Sequence, residues 1–141
     1  MEIIDAKGKL HDRQILNVLS HSMYMPTEEK LNILADKYES DPAIHAFSCI
    51  ENASVAGVIV LKHHINRTFE IRSIAVAEAS RGRGVGAKLI AHAIGELKCG
   101  ELSAETDDDA VGFYRSCGFD IVSLGEKYPG VVRYLCTLKV V

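Results

Sequence analysis

The sequence predicts a single α/β (α+β) domain spanning residues 1–141, built on a mixed sheet of about seven strands with helices on both faces. Three observations carry that expectation. A chain of 141 residues has the size of one domain and can enclose a genuine core. Residues 44–76 read as three strand-like runs joined by short turns, which makes an antiparallel meander. Beyond residue 76 the apolar period alternates between helix and strand, the pattern of a crossover unit.

A short opening strand is expected over residues 2–5, followed by a helix within 9–22 that places Ile15, Val18, Leu19 and Ser22 on one stripe. Pro26 and Thr27 announce a second helix, with Thr27 as its cap and Leu31, Leu34, Ala35 and Tyr38 facing inward. Between the two helices, His21-Ser22-Met23-Tyr24-Met25 is sticky for a solvent loop, so it either packs as core or lines a pocket. Strands follow over 44–50, 54–63 and 68–76. Val85, Leu89, Ile90, Ala93, Ile94 and Leu97 then form one broad apolar face, with Lys88, His92 and Glu96 on another, so this helix buries one side. Gly100 is expected to end it. A strand over 102–106 leads to a helix capped by Asp108 or Asp109 and closed at Gly118. Two strands, 119–124 and 132–140, finish the chain around the Pro129-Gly130 turn signal.

Composition narrows the function. Hydrophobic residues make up 48% and charged residues 25%, the balance of a folded globular chain rather than a disordered or fibrous one. Sixteen Lys+Arg against nineteen Asp+Glu give a net charge of −3, so no global positive field recruits nucleic acid. Cys49, Cys99, Cys117 and Cys136 are widely spaced with no CxxC pair, which favours reduced thiols. The first residues carry no basic segment leading into an apolar run, and no stretch approaches a membrane span, so a cytoplasmic protein without membrane association is expected.

The most informative stretch runs from Ile71 through Arg81-Gly82-Arg83-Gly84-Val85-Gly86-Ala87-Lys88. A strand leads into three alternating glycines, and the glycines open a long helix. Free N–H groups at a helix start, backed by aligned peptide dipoles, hold anionic oxygens, and glycine lets the backbone come close. Arg81 and Arg83 add positive charge there, with Lys88 about one turn into the helix. The bland alternative is a glycine-rich turn with solvated arginines. A dinucleotide fingerprint would follow the first strand of its unit, and a nucleoside-triphosphate loop would place Lys after a GxxxxG frame; neither arrangement is met.

Arg81, Gly84 and Gly86 meet the pattern Arg or Gln, two residues, Gly, one residue, Gly or Ala, with the apolar strand Ile74-Ala75-Val76 before it. A second segment, Ala110-Val111-Gly112-Phe113-Tyr114-Arg115-Ser116-Cys117-Gly118-Phe119, ends a helix in an aromatic-Tyr pair and then Gly-Phe. On these two motifs the chain resembles the GNAT superfamily of acetyl-CoA-dependent N-acetyltransferases, as a small bacterial-type member. The resemblance implies the acyl-CoA N-acyltransferase fold, with acetyl-CoA as cosubstrate and no metal. It also implies that main-chain N–H groups of Arg81, Gly82, Arg83, Gly84, Val85 and Gly86, with Ala87 and Lys88 beside them, hold the pyrophosphate of coenzyme A. Ile74, Ala75 and Val76 would pair with the pantetheine arm in a splay between two strands, with Phe113 on the later helix beside it. The family's Asn at the start of that helix is Asp107 here; an ionised Asp accepts but cannot donate, which puts a side-chain bond to the pantetheine amides in doubt.

Acetyl transfer to an amine needs a neutral nucleophile, stabilisation of developing negative charge on oxygen, and a proton for the departing thiolate. Tyr114 occupies the family's acid position; the alternative is a tyrosine that only packs its ring. Glu70 lies on the strand before Ile74, and period two places it on the same side as Arg72, Ile74 and Val76 unless a bulge intervenes. A carboxylate there is a candidate base through water, but pairing with Arg72 or attraction of a cationic substrate would explain it equally, and a water chain could replace it. Tyr24, Met25 and Tyr128 are expected near the acceptor. His63-His64 point in opposite directions along a strand, and Asp107-Asp108-Asp109 suits a helix start, so no metal is predicted. The acceptor is a small-molecule amine, a protein N-terminus or a lysine, and the apolar strand from Tyr134 onward could form a homodimer edge. A non-catalytic acyl-CoA-binding or regulatory protein on the same scaffold is the competing function.

Overall fold

The opening helix is shorter than its apolar stripe. In the computed structural model, which describes residues 1–140, Asp12 accepts from the backbone N–H groups of Gln14 and Ile15, so α1 runs Arg13–Leu19. Residues 9–12 instead form turns that bring Leu10 to full burial. A 3-10 turn, Ser20–Ser22, continues from α1, and α2 covers Glu28–Ser40 with Thr27 accepting from the Lys30 N–H as its cap. Tyr24 is 89% exposed and Met25 67% exposed, so the sticky connection does not pack as core; only His21 of it reaches a cleft.

Seven strands form one sheet: β1 Glu2–Asp5, β2 Ile44–Glu51, β3 Ser54–His63, β4 Thr68–Val76, β5 Glu101–Thr106, β6 Asp120–Tyr128 and β7 Val131–Lys139. Their spatial order is β1-β2-β3-β4-β5-β7-β6, antiparallel throughout except for β4 against β5. The mixed sheet with helices on both faces is as expected. Helix α3 (Val85–Leu97) is the crossover between the parallel pair, and α4 (Val111–Ser116) precedes the last hairpin. β7 lies inside the sheet, between β5 and β6, so the edge on that side is β6, with Val122 and Leu124 exposed on it. β6 also runs past residue 124 to Tyr128, because Gly125 takes φ +77° at a bulge and lets pairing resume towards the tight Pro129-Gly130 turn.

Strand β3 shows how the two cores are shared. Val58 and Val60 face the layer of α1 and α2 with Leu10, Ile15 and Leu19, whereas Ile59 and Leu61 face α3 and α4 with Leu89, Leu102 and Cys136. A central strand covered on both faces reads as a continuous apolar run, as residues 55–61 do apart from Gly57. That exception is spatial: a Cβ at Gly57 would stand 2.8 Å from Val85 Cγ1 and 3.2 Å from the Ala75 carbonyl oxygen, so glycine lets the start of α3 lie directly on the sheet. The far end of α3 closes through Lys98, at φ +53°, and not through Gly100. Gly100 serves a close approach instead, its N–H donating to the Arg67 carbonyl at 2.7 Å.

Candidate active site

β4 and β5 pair at three positions only, Thr68 with Glu101, Phe69 with Leu102 and Glu70 with Ser103. Beyond Glu70 the two strands diverge, leaving the β5-facing edge of β4 without a strand partner among the described residues. A cleft of about 940 Å³ lies there, lined by Ile74, Ala75 and Val76 on the strand, by Arg81, Gly82 and Gly84 to Ala87 at the start of α3, and by Phe113, Tyr114 and Cys117 on α4. The strand edge, the glycine turn and the aromatic pair, far apart in the chain, thus border one space.

The turn into α3 leaves backbone donors without a side-chain partner. Gly82 and Gly84 have φ of +77° and +78°, the left-handed region that glycine enters without strain. Gly84 is the N-cap, no side chain caps the helix, and no acidic residue stands in its first turn. The N–H groups at the positive end of a 13-residue helix are therefore left to whatever enters the cleft. Gly86 serves packing: a Cβ there would meet the Phe113 ring at 2.9 Å, so glycine brings α4 against α3 and sets the cleft width.

The other basic residues are placed differently. Arg81 Nε donates to the Val76 carbonyl at 3.3 Å and so straps the turn to the end of β4. Arg83 forms an ion pair with Glu51 beside the cleft, and Lys88 is exposed on α3; neither lines the cavity. Asp107 Oδ1 accepts from the Asp109 N–H at 3.1 Å and from the Ala110 N–H at 3.2 Å. No side chain caps α4, whose N-cap is Ala110; Asp107, rather than Asp108 or Asp109, holds the turn that leads into it. Asp108 instead accepts from the Tyr134 hydroxyl.

Tyr114 reaches the cleft with its ring 5% exposed, edge-on to Phe113 and Phe119. Burial, then the nearby thiols of Cys136 and Cys117, push its phenol well above the usual tyrosine range, so it keeps its proton. Among the described residues no side chain or carbonyl hydrogen-bonds its hydroxyl. Glu70 is elsewhere. β4 bulges at Arg72, since Val60 pairs with Ser73 while Leu61 pairs with Ile71. The extra residue reverses the alternation: Ser73 shares a 2.7 Å hydrogen bond with Tyr38 of α2, whereas Ile74 and Val76 pack towards α3. Glu70 therefore lies on the α1/α2 side with Arg72, opposite to Ile74 and Val76. His64 Nε2 stands 2.8 Å and Arg72 Nη1 3.6 Å from its Oε1.

Sequence reasoning did not single out His21, Asp109, Ile90 or Leu138, which also line the cleft. Only His21 left a signal, since it opens the connection expected to pack or to line a pocket. Among the described residues no group of three His, Cys, Asp or Glu side chains is placed to hold a metal ion, and no helix is long and apolar enough to cross a membrane.

The profile of the Acetyltransferase (GNAT) family matches residues 13–119, and the chain belongs to that family. Over its whole length the chain is similar to a provisionally assigned acetyltransferase of the GNAT family from Desulfovibrio desulfuricans, with a TM-score of 0.80, 20% identity and 99% of each chain covered. A provisionally assigned streptothricin acetyltransferase from Bacillus anthracis str. Ames, solved in complex with acetyl coenzyme A, matches with a TM-score of 0.66 and 28% identity over 75% of this chain and 68% of that one. The uncharacterized protein ML0378 of Mycobacterium leprae (strain TN) is 37% identical over 76 residues, which are 52% of this chain and 21% of that protein.

Proposed function

We propose that this chain is an N-acetyltransferase that moves an acetyl group from acetyl-CoA to a primary amine by direct attack, with no covalent enzyme intermediate. One observation carries the proposal: the uncapped, positive-φ start of α3 opens into the same cleft as the buried phenol of Tyr114. Acetyl-CoA, when bound, supplies an activated acyl carbon on a good leaving group. The N–H groups of Gly82 to Ala87 would hold its pyrophosphate, with Arg81, Arg83 and Lys88 adding positive charge around the turn. Ile74, Ala75 and Val76 offer an unpaired main-chain edge for the pantetheine amides, and Phe113 walls the arm on the opposite side. The acetyl-CoA complex of the Bacillus anthracis protein supports this choice of cosubstrate.

Tyr114 is the acid that protonates the departing sulfur, a role that suits a phenol held in its neutral form. Asp107 acts indirectly, fixing the start of α4 and so the aim of Phe113 and Tyr114. Glu70 belongs to the acceptor side, where its carboxylate, beside His64 and Arg72, attracts a protonated amine. The acceptor class is a small-molecule amine, a protein N-terminus or a lysine. A non-catalytic acyl-CoA-binding protein on the same scaffold is favoured by one feature, the engagement of Asp107 in the α4 turn, where the family offers an Asn donor. A panel of amines assayed for coenzyme A thiol release separates the two. Amine-dependent release is expected; tight acetyl-CoA binding with no release for any amine would leave only the binding protein.

A further inference from the structure

Granted the acetyl transfer proposed above, on which this inference rests, we infer that His21 is the base of the site, taking the proton that the acceptor ammonium must lose before its nitrogen can attack. The 3-10 turn Ser20–Ser22 packs against β4 and carries His21 to the cleft wall, sharing that cavity with Ile74, Val76 and Tyr114. The other five histidines are engaged elsewhere. His11 pairs with Asp36, His63 with the Asn66 carbonyl and His64 with Glu70, while His45 and His92 stack edge-on against Phe69 and Phe47. His21 is exposed to the cleft, and among the described residues no hydrogen bond or ion pair holds its ring.

The charged and titratable groups around it leave the task to imidazole. The remaining cleft residues of this kind are Arg81, Asp109, Tyr114 and Cys117; a guanidinium is a donor only, and burial holds the phenol and the thiol in their neutral forms. β4 presents Glu70 and Arg72 on the side of α1 and α2, already paired with each other, and α1 carries only Arg13, at its far end. Asp109 stands within the Asp107 turn that leads into α4, its N–H donating to Asp107 Oδ1. Imidazole is the side-chain type that exchanges a proton between about pH 5 and 8, the range in which an amine arrives mostly as its ammonium.

The proton count closes. The ammonium gives one proton to His21, and the freed lone pair forms the C–N bond as the C–S bond breaks. Tyr114 passes its proton to the sulfur and is restored by the second proton of the same nitrogen. His21 then returns its proton to solvent, so each turnover yields an amide, free thiol and one released proton.

The test compares wild type with His21→Gln and His21→Ala, using an amine found active in the panel, by kcat/KM across pH and by calorimetry with coenzyme A. Near neutral pH both variants should lose about 10²-fold in kcat/KM while binding coenzyme A as wild type does. Their activity should climb towards high pH, where the amine deprotonates itself, and added imidazole should restore part of the loss in His21→Ala. Variants that keep the wild-type rate and pH profile overturn the inference alone, as does an equal loss at every pH with no rescue. A wild type that binds coenzyme A yet acetylates no amine overturns the acetyltransferase proposal, and this inference with it.

Discussion

Tyr114 carries the sharpest consequence at the scale of single residues. Its ring is locked between Phe113 and Phe119 and only its hydroxyl needs the cleft, so Tyr114→Phe removes the proton donor and leaves the packing intact. Turnover at saturating substrates should fall about 10²-fold with coenzyme A affinity unchanged, read by steady-state kinetics and calorimetry. Full turnover across pH would remove Tyr114 from the chemistry. The positions of Tyr114 and of the glycine turn were legible in the sequence because both sit in motifs of fixed local spacing. The facing of Glu70 was not. It depends on the bulge at Arg72, which arises from pairing with β3 and from the Tyr38–Ser73 hydrogen bond, partners 35 residues apart. Asp107 was likewise read as a donor lost, whereas its carboxylate is spent on two backbone N–H groups of its own turn.

At the scale of elements, the site depends on how closely α3 approaches the sheet and α4. Gly57→Ala would set a Cβ 2.8 Å from Val85 Cγ1 and 3.2 Å from the Ala75 carbonyl, and backbone cannot swing aside as a side chain can. We expect about 1–3 kcal/mol of destabilisation in urea unfolding. Gly84→Ala meets open space but a left-handed φ of +78°. It should cost about 1–2 kcal/mol and, if the turn relaxes to escape the strain, weaken coenzyme A as well. Wild-type stability in Gly57→Ala would mean that α3 has room against the sheet that the structure does not show, and in Gly84→Ala that the turn does not need its left-handed φ. The elements themselves were largely readable, since strand and helix periods are local. Their ends were read less well where a side chain competes for backbone N–H groups, as Asp12 does before α1, or where a glycine bends a strand without ending it, as Gly125 does in β6.

For the molecule as a whole, the two cores on either side of one sheet bury several groups that ionise at high pH. Burial raises Tyr38, Tyr114 and the thiols of Cys49, Cys99 and Cys136 above their usual ranges. The unfolded chain therefore gives up these protons first. Stability should be insensitive to these groups below about pH 8.5 and fall as pH rises above about 9, thiols leading and phenols following. Urea midpoints measured upward from neutral pH check the slope, and Tyr114→Phe should flatten its upper part. The seven-stranded sheet also sets the functional claim, because divergence of the parallel pair β4 and β5 opens the cleft beside the uncapped start of α3. Amide spectra recorded while coenzyme A is added address that claim most directly. The signals of Gly82, Gly84, Val85 and Gly86 should shift and saturate together, ahead of those of the β6/β7 hairpin. Coenzyme A at millimolar concentration that leaves these four amides unmoved would contradict the account.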